Sequence, residues 1–120
     1  MKGSPQRQAL EEELRDEKVG SAKIQALGDY ASLKDIEYRT EHRPVEMDEF
    51  DSIQLIMEKA ALEQQMRMRK LDADASKYME AYNNAEAILK PYVAIDNPYI
   101  SPYQVFLDDL KEINREKSKK

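Results

Sequence analysis

The chain has no cysteine and no tryptophan, one histidine, two phenylalanines and three glycines in 120 residues. Each scarcity removes a class of chemistry. Without cysteine there is no disulfide, no thiol nucleophile and no zinc site with sulfur ligands. His42 stands alone between Glu41 and Arg43, so no two imidazoles can share a metal. Gly3, Gly20 and Gly28 are too scattered to form a phosphate-cradling loop. The carboxylate pairs Asp72/Asp74 and Asp108/Asp109 diverge around a helix and lack the spacing of a Mg²⁺ or Ca²⁺ site. No nucleophile, base and orienting group combine into a triad. The expectation is a non-enzymatic protein with no cofactor, no metal and no small-molecule substrate.

Long apolar runs are also missing. Nothing approaches the roughly 20 residues that cross a bilayer, and the opening MKGSPQRQAL lacks the apolar stretch of a secretory signal. The expected location is cytoplasmic, with no membrane partner. A composition of 41% hydrophobic residues and a mean hydropathy of −0.83 make a lean core. A small chain buries only part of its surface alone, so apolar surface is expected to be covered by a protein partner or by further copies of the chain. The net charge is −5 and unevenly placed: residues 1–60 carry 9 basic and 14 acidic side chains, residues 61–120 carry 10 of each. The last ten residues carry five basic and two acidic groups.

Against these absences stands one uninterrupted stretch, Asp48 to Lys90, with neither proline nor glycine in 43 residues. Those two residues are the strongest local breakers, so the stretch predicts one very long helix, roughly 65 Å at 1.5 Å per residue, or a helical hairpin with its break near residues 71–76. One apolar stripe runs Phe50, Ile53, Met57, Ala61, Gln64, Met68, Leu71, Ala75, Tyr78 or Met79, Tyr82, Ala85 and Leu89. Its steps of three and four are those of one helix face. A second row, Leu55, Leu62 and Met66, widens the apolar side of the first half.

The flanking segments are more punctuated. Ser4 and Pro5 can cap and start a thin, acidic first helix reaching Lys18 and ending at Gly20. It is expected to be solvated, or to act as an arm toward a basic partner through Glu11, Glu12, Glu13 and Asp16. Gly28 divides the next segment into a short helix over Ala22–Leu27 and a second reaching Arg39, capped by Asp29 or Ser32. This is a helix-turn-helix spacing, but Asp35, Glu37 and Glu41 suit a DNA groove poorly. Pro91 is expected to end the long element. Val93 and Ile95 then alternate, and Asn97-Pro98 marks a turn. Ser101, Pro102 and Gln104 give the N-cap, first-turn proline and capping-box partner of a last helix, with Tyr103, Phe106, Leu110 and Ile113 on its apolar face. Lys117 to Lys120 form a polar tail.

The fold class is therefore all-α: an elongated protein on a long central helix or helical hairpin, with short N-terminal helices and a capped C-terminal helix. It divides into an N-terminal helical arm (1–46), the central element (47–91) and an extended segment with the last helix and basic tail (92–120). The expected partner interface is Phe50, Ile53, Met57, Met68, Leu71, Tyr78, Tyr82, Leu89, Phe106 and Leu110. The candidate nucleic-acid contacts are Arg67, Arg69, Lys70, Arg115, Lys117, Lys119 and Lys120, with electrostatic, salt-dependent binding.

From Tyr78 onward, AYNNAEAIL (Ala81–Leu89), NPY (Asn97–Tyr99) and the helix with Leu107, Leu110 and Ile113 resemble one group of bacteriophage terminase small subunits. The resemblance implies a non-enzymatic helical subunit in the host cytoplasm. It would form a ring of about nine copies, bind viral DNA near the packaging start and engage the large terminase ATPase. The residue patterns themselves point to a helical oligomerisation or interaction subunit of a larger assembly. The DNA-packaging adaptor is the alternative, and an acidic inhibitor of a host defence a further one.

Overall fold

A computed structural model of the protein describes residues 4–42, 48–73, 75–94 and 100–119. Ser4 starts helix α1 (Pro5–Glu13): its hydroxyl accepts from the Arg7 N–H at 3.2 Å, and Pro5 occupies the first turn. The helix ends earlier than the sequence implied, at Leu14. The chain then passes through Gly20, whose φ of +69° is the left-handed conformation that glycine adopts at no steric cost. The Gly20 N–H donates to Asn114 Oδ1 at 3.1 Å, fixing this connection to the last helix.

Ser21 caps α2 (Ala22–Glu41), one helix of 20 residues where two short ones were expected. Gly28 does not break it. A mid-helix glycine costs about 1 kcal/mol relative to alanine, and packing against three other helices outweighs that cost. Asp29 and Ser32 therefore lie inside the helix rather than at its start, and no helix-turn-helix forms here. α2 is the hub: α3, α4 and α5 all pack on it.

The proline- and glycine-free stretch folds as two helices, α3 (Glu49–Lys70) and α4 (Ala75–Val93), so the single 65 Å rod is not formed. Asp48 caps α3 by accepting the Asp51 N–H at 2.9 Å, and Glu49 and Asp51 complement the positive end of the helix dipole. The break falls at Leu71–Ala73, within the 71–76 window expected for a helical hairpin. α4 runs through Pro91 to Val93. Proline removes one intrahelical bond, which a last turn tolerates more easily than an interior one, and Ala94 still bonds to the Lys90 carbonyl at 3.0 Å. Ile95 and the Asn97-Pro98 turn lie outside the described residues. Ser101 caps α5 (Pro102–Ser118) through the Gln104 N–H at 3.4 Å. The Gln104 side chain bonds Asp108 instead of closing a capping box. The tail is partly helical, since α5 continues to Ser118.

The main core joins Leu10 of α1 and Leu14 with Ile24, Leu27 and Ala31 of α2, Ala85, Leu89 and Tyr92 of α4, and Phe106, Leu107, Leu110 and Ile113 of α5. A satellite cluster holds Ala26, Tyr78 and Ala81. α3 contributes to neither. The class is all-α, but the expected elongated shape gives way to overall dimensions of 44 × 39 × 26 Å, because α2, α4 and α5 fold against one another.

The first helix is not a solvated arm. Arg7, only 5% exposed, reaches from α1 across α5. Its guanidinium meets Glu112 at 3.1 Å, Glu116 at 3.2 Å and Asp109 at 3.9 Å, and its Nε donates to Glu11 at 2.8 Å. Burial alone would lower the Arg7 pKa, but Glu11, Glu112 and Glu116 outweigh it and raise it. Glu12 pairs with Arg15 and Glu13 with Lys23. The acidic run is thus largely engaged within the chain.

Candidate interaction surface

α3 is attached to the body by few apolar contacts and by a polar latch. On its inner side only Leu55 and Met66 are buried. The latch centres on Asp29, a carboxylate buried in the middle of α2. One Asp29 oxygen accepts from Arg69 Nε at 2.7 Å and from the Tyr78 hydroxyl at 2.8 Å; the other accepts from Gln65 Nε2 at 3.0 Å. Three donors from two helices satisfy one buried charge, which burial would otherwise penalise heavily. The Tyr78 hydroxyl is held protonated well above the ordinary tyrosine value, first by burial and then by its bond to the Asp29 anion. Nearer the start of α3, Arg39 donates two bonds to Glu58, at 3.2 and 3.3 Å, while also bonding Asp35. These contacts fix the rotation of α3 about its axis.

That rotation turns the predicted stripe outward. Phe50 (64% exposed), Met57 (64%), Met68 (65%) and Leu71 (86%) face solvent, and Ile53 and Ile56 are also exposed. The row facing α2 is the one that looked secondary in the sequence: Leu55 and Met66 are buried and Leu62 half-buried. Beyond residue 74 the same stripe turns inward. Tyr78, Leu89, Phe106 and Leu110, expected at a partner interface, lie instead in the chain's own clusters and have no free apolar surface to offer. Tyr82 is half-buried, edge-on to Tyr30 at 5.4 Å. Of ten predicted interface residues, the five before residue 74 are therefore the ones left on the surface.

The predicted nucleic-acid contacts divide as well. Arg67 and Lys70 are exposed at the end of α3, and Arg115 and Lys119 near the end of α5. Arg69 belongs to the Asp29 latch. Lys117 donates to the Arg15 and Glu17 carbonyls at 3.2 and 3.1 Å, tying α5 to the turn after α1. Lys120 lies outside the described residues. α3 and α5 do not pack on each other, so the two basic groups sit on separate elements.

Sequence reasoning missed Arg7 and Asp29. For Arg7 a signal was available: Asp109, Glu112 and Glu116 recur at steps of three and four, an acidic stripe on α5. Asp29 had none, because its donors lie 36 to 49 residues away. A cleft of about 550 Å³ was also unforeseen; Asp35, Tyr38, Arg39, His42, Glu58 and Gln104 are among its walls. His42 stacks on Tyr38 at 4.0 Å and stays exposed. Among the described residues no group of carboxylates and histidine is arranged to hold a metal ion, and no helix is long and apolar enough to cross a membrane. Compared with protein-family models, curated proteins and solved structures, the chain matches none.

Proposed function

We propose that the protein is a non-enzymatic helical subunit of a larger assembly, and that the outer face of α3 is its assembly surface. The observation that carries this reading is the exposure of six large apolar side chains on one helix, beside a body whose own core is complete without them. Isolated exposed apolar residues are ordinary, but a contiguous apolar surface beyond a few hundred Å² marks an interaction site. The residues that hold α3 in place, Leu55, Met66 and the polar contacts to Asp29 and Arg39, lie on its side toward α2, so its outer face can accept a partner without rearrangement of the fold.

The test is mass photometry of the chain recovered under mild conditions from cells that make it. The expected particle is heavier than one 14.0 kDa chain, and it falls to single chains in a Met57→Asp, Leu71→Asp variant whose melting temperature is unchanged. Single chains only, in the unmodified protein, overturn the reading.

The DNA-packaging adaptor keeps Arg67, Lys70, Arg115 and Lys119 as exposed cations at the ends of α3 and α5. It requires DNA binding whose constant falls steeply with salt. The inhibitor alternative is weakened by the pairing of Glu11, Glu12 and Glu13 within the chain.

A further inference from the structure

The exposed face of α3 has a pattern that a generic docking helix does not need: it reads nearly the same in both directions. Its members are Phe50, Ile53, Met57, Ala60, Ala61, Gln64, Met68 and Leu71. The steps are three, four and three on each side of a midpoint between the two alanines. All eight are exposed. From Phe50 to Leu71 they span roughly 31 Å at 1.5 Å per residue.

We infer that the occupant of this face is α3 of a second copy of the chain, running antiparallel about a two-fold axis that passes the Ala60–Ala61 midpoint. This rests on the reading of α3 as the assembly surface and names what covers it. In that arrangement Phe50 lies beside the partner's Leu71, Ile53 beside the partner's Met68, and Met57 beside the partner's Gln64. Alanines meet at the centre, where small side chains let two helices come closest. The self-complementary patch is what a two-fold dimer demands, since each residue pair occurs twice.

Charge selects the direction. Beside this face the first turn of α3 holds Glu49 and the last turn holds the exposed Arg67 and Lys70, while Arg69 is held by Asp29. Antiparallel pairing places each acidic start beside a basic end, with Glu49 on the same flank as Arg67, and it sets the two helix dipoles antiparallel, each positive end beside the other's negative end. Parallel pairing would set acid against acid and base against base. The area is of the right order. Counting about 200 Å² for a fully exposed large apolar residue, the five large members of the face present roughly 650 Å² per copy, to which Ala60, Ala61 and Gln64 add, and a standard stable interface takes about 800 Å² from each partner.

The absence of cysteine makes disulfide trapping clean. The full chain is measured by sedimentation across concentration, as wild type and as Ala61→Arg. Two single variants, Ile53→Cys and Met68→Cys, are then oxidised separately and as a mixture. The expected wild-type species has twice the 14.0 kDa mass. Ala61→Arg weakens it at least 100-fold without moving the melting temperature of the dilute monomer, because Ala61 faces solvent in the single chain. Covalent dimers form only in the mixture, as heterodimers. Each variant alone gives none, because an antiparallel pair holds two copies of the same position roughly 22 Å apart along the helix axis.

Three results overturn the pairing. One is a single chain at about 1 mM, beyond which association is weaker than most specific contacts. Another is a dimer indifferent to Ala61→Arg. The third is disulfide formation by each variant with itself, which means parallel helices. The two proposals separate by mass. If cells yield a heavier particle that holds one copy and a different chain, the self-pairing fails and α3 remains an assembly surface. If they yield single chains only, both fail.

Discussion

α3 and α4 are consecutive, similar in length and carry apolar residues at the same spacing, yet one presents its stripe to solvent and the other to the core. Leu71, closing α3, is 86% exposed; Leu89, in α4, is 1% exposed. Periodicity establishes that each is an amphipathic helix. It does not establish which apolar row faces the body when a helix has two. α4 has one strong row, formed by Tyr78, Ala81, Ala85, Leu89 and Tyr92, and its small residues admit α2 closely. α3 has two rows, and the polar contacts of Arg69 and Gln65 with buried Asp29, and of Glu58 with Arg39, choose between them. Hydrogen bonds thus decide an orientation that hydrophobicity leaves open.

The sharpest way to break the comparison is to cut the same side chain from both helices. Leu89→Ala removes a fully enclosed side chain and should cost about 2–5 kcal/mol, read as a shift in denaturant midpoint. Leu71→Ala should change stability of the single chain by less than about 0.5 kcal/mol. Equal losses would mean that α3 is packed as tightly as α4 and that its outward stripe is misplaced.

The latch should come next in size. Asp29→Ala leaves Arg69, Gln65 and the buried Tyr78 hydroxyl without their acceptor, and removing one partner of a buried charge pair costs about 3 kcal/mol. Because α3 depends on the latch, amide exchange in residues 49–70 should accelerate more than in residues 75–93. Uniform acceleration through both helices would show that Asp29 supports global stability and not the attachment of α3.

The caps of α1 and α5 were legible: Ser4 and Ser101 each accept the N–H three residues ahead, a local rule with a local signal. The apolar face of α5 was legible for the same reason. Gly28 and Pro91 misled, because both are breakers only when little else holds the helix. Here α2 is packed on three sides, and Pro91 falls in a last turn. Asp29 was illegible as a core element because a charged residue is buried only when its partners arrive from elsewhere in the chain, whereas the acidic stripe of α5 was a signal for Arg7 that went unread. The burial of Phe106 and Leu110 within the body also follows from helix α2 running unbroken across α4 and α5, a consequence of Gly28 being tolerated.

The alkaline limit should also belong to α4. Burial, together with hydrogen bonds to Asp29 and Asp109, raises the pKa of Tyr78 and of Tyr92 above the ordinary 10.0. Below pH 10 folded and unfolded chains both keep these protons and the stabilisation is complete. Above it the unfolded chain releases them first, the folded chain holds more protons, and stability falls as pH rises. Denaturant titrations between pH 9 and about 11 should show this fall, and Tyr92→Phe should make it shallower. A slope unchanged by Tyr92→Phe would place the alkaline sensitivity elsewhere.

A smaller, opposite effect is expected in α2, against which both helices lie. An added methyl at Gly28 would sit 3.6 Å from Leu110 Cδ2, an ordinary contact. Gly28→Ala should therefore stabilise the chain by about 0.5–1 kcal/mol, and a loss instead would mean that α2 and α5 approach too closely for the extra atom.

The smallest effect on stability, and the finest probe of the two faces of α3, is oxidation of its methionines. Met57 and Met68 are on the outer face and Met66 on the inner, within three turns of one another. In dilute solution peroxide should convert Met57 and Met68 rapidly and Met66 slowly, since Met66 is 7% exposed. Raising the protein concentration should slow the outer pair as a second α3 covers them, and leave Met66 as it was. Peptide mass spectrometry resolves the three. A concentration effect on Met66 equal to that on Met57 would mean that association tightens the whole helix against α2 rather than sealing its outer face. The same three residues thus report both how α3 sits on its own body and what sits on α3.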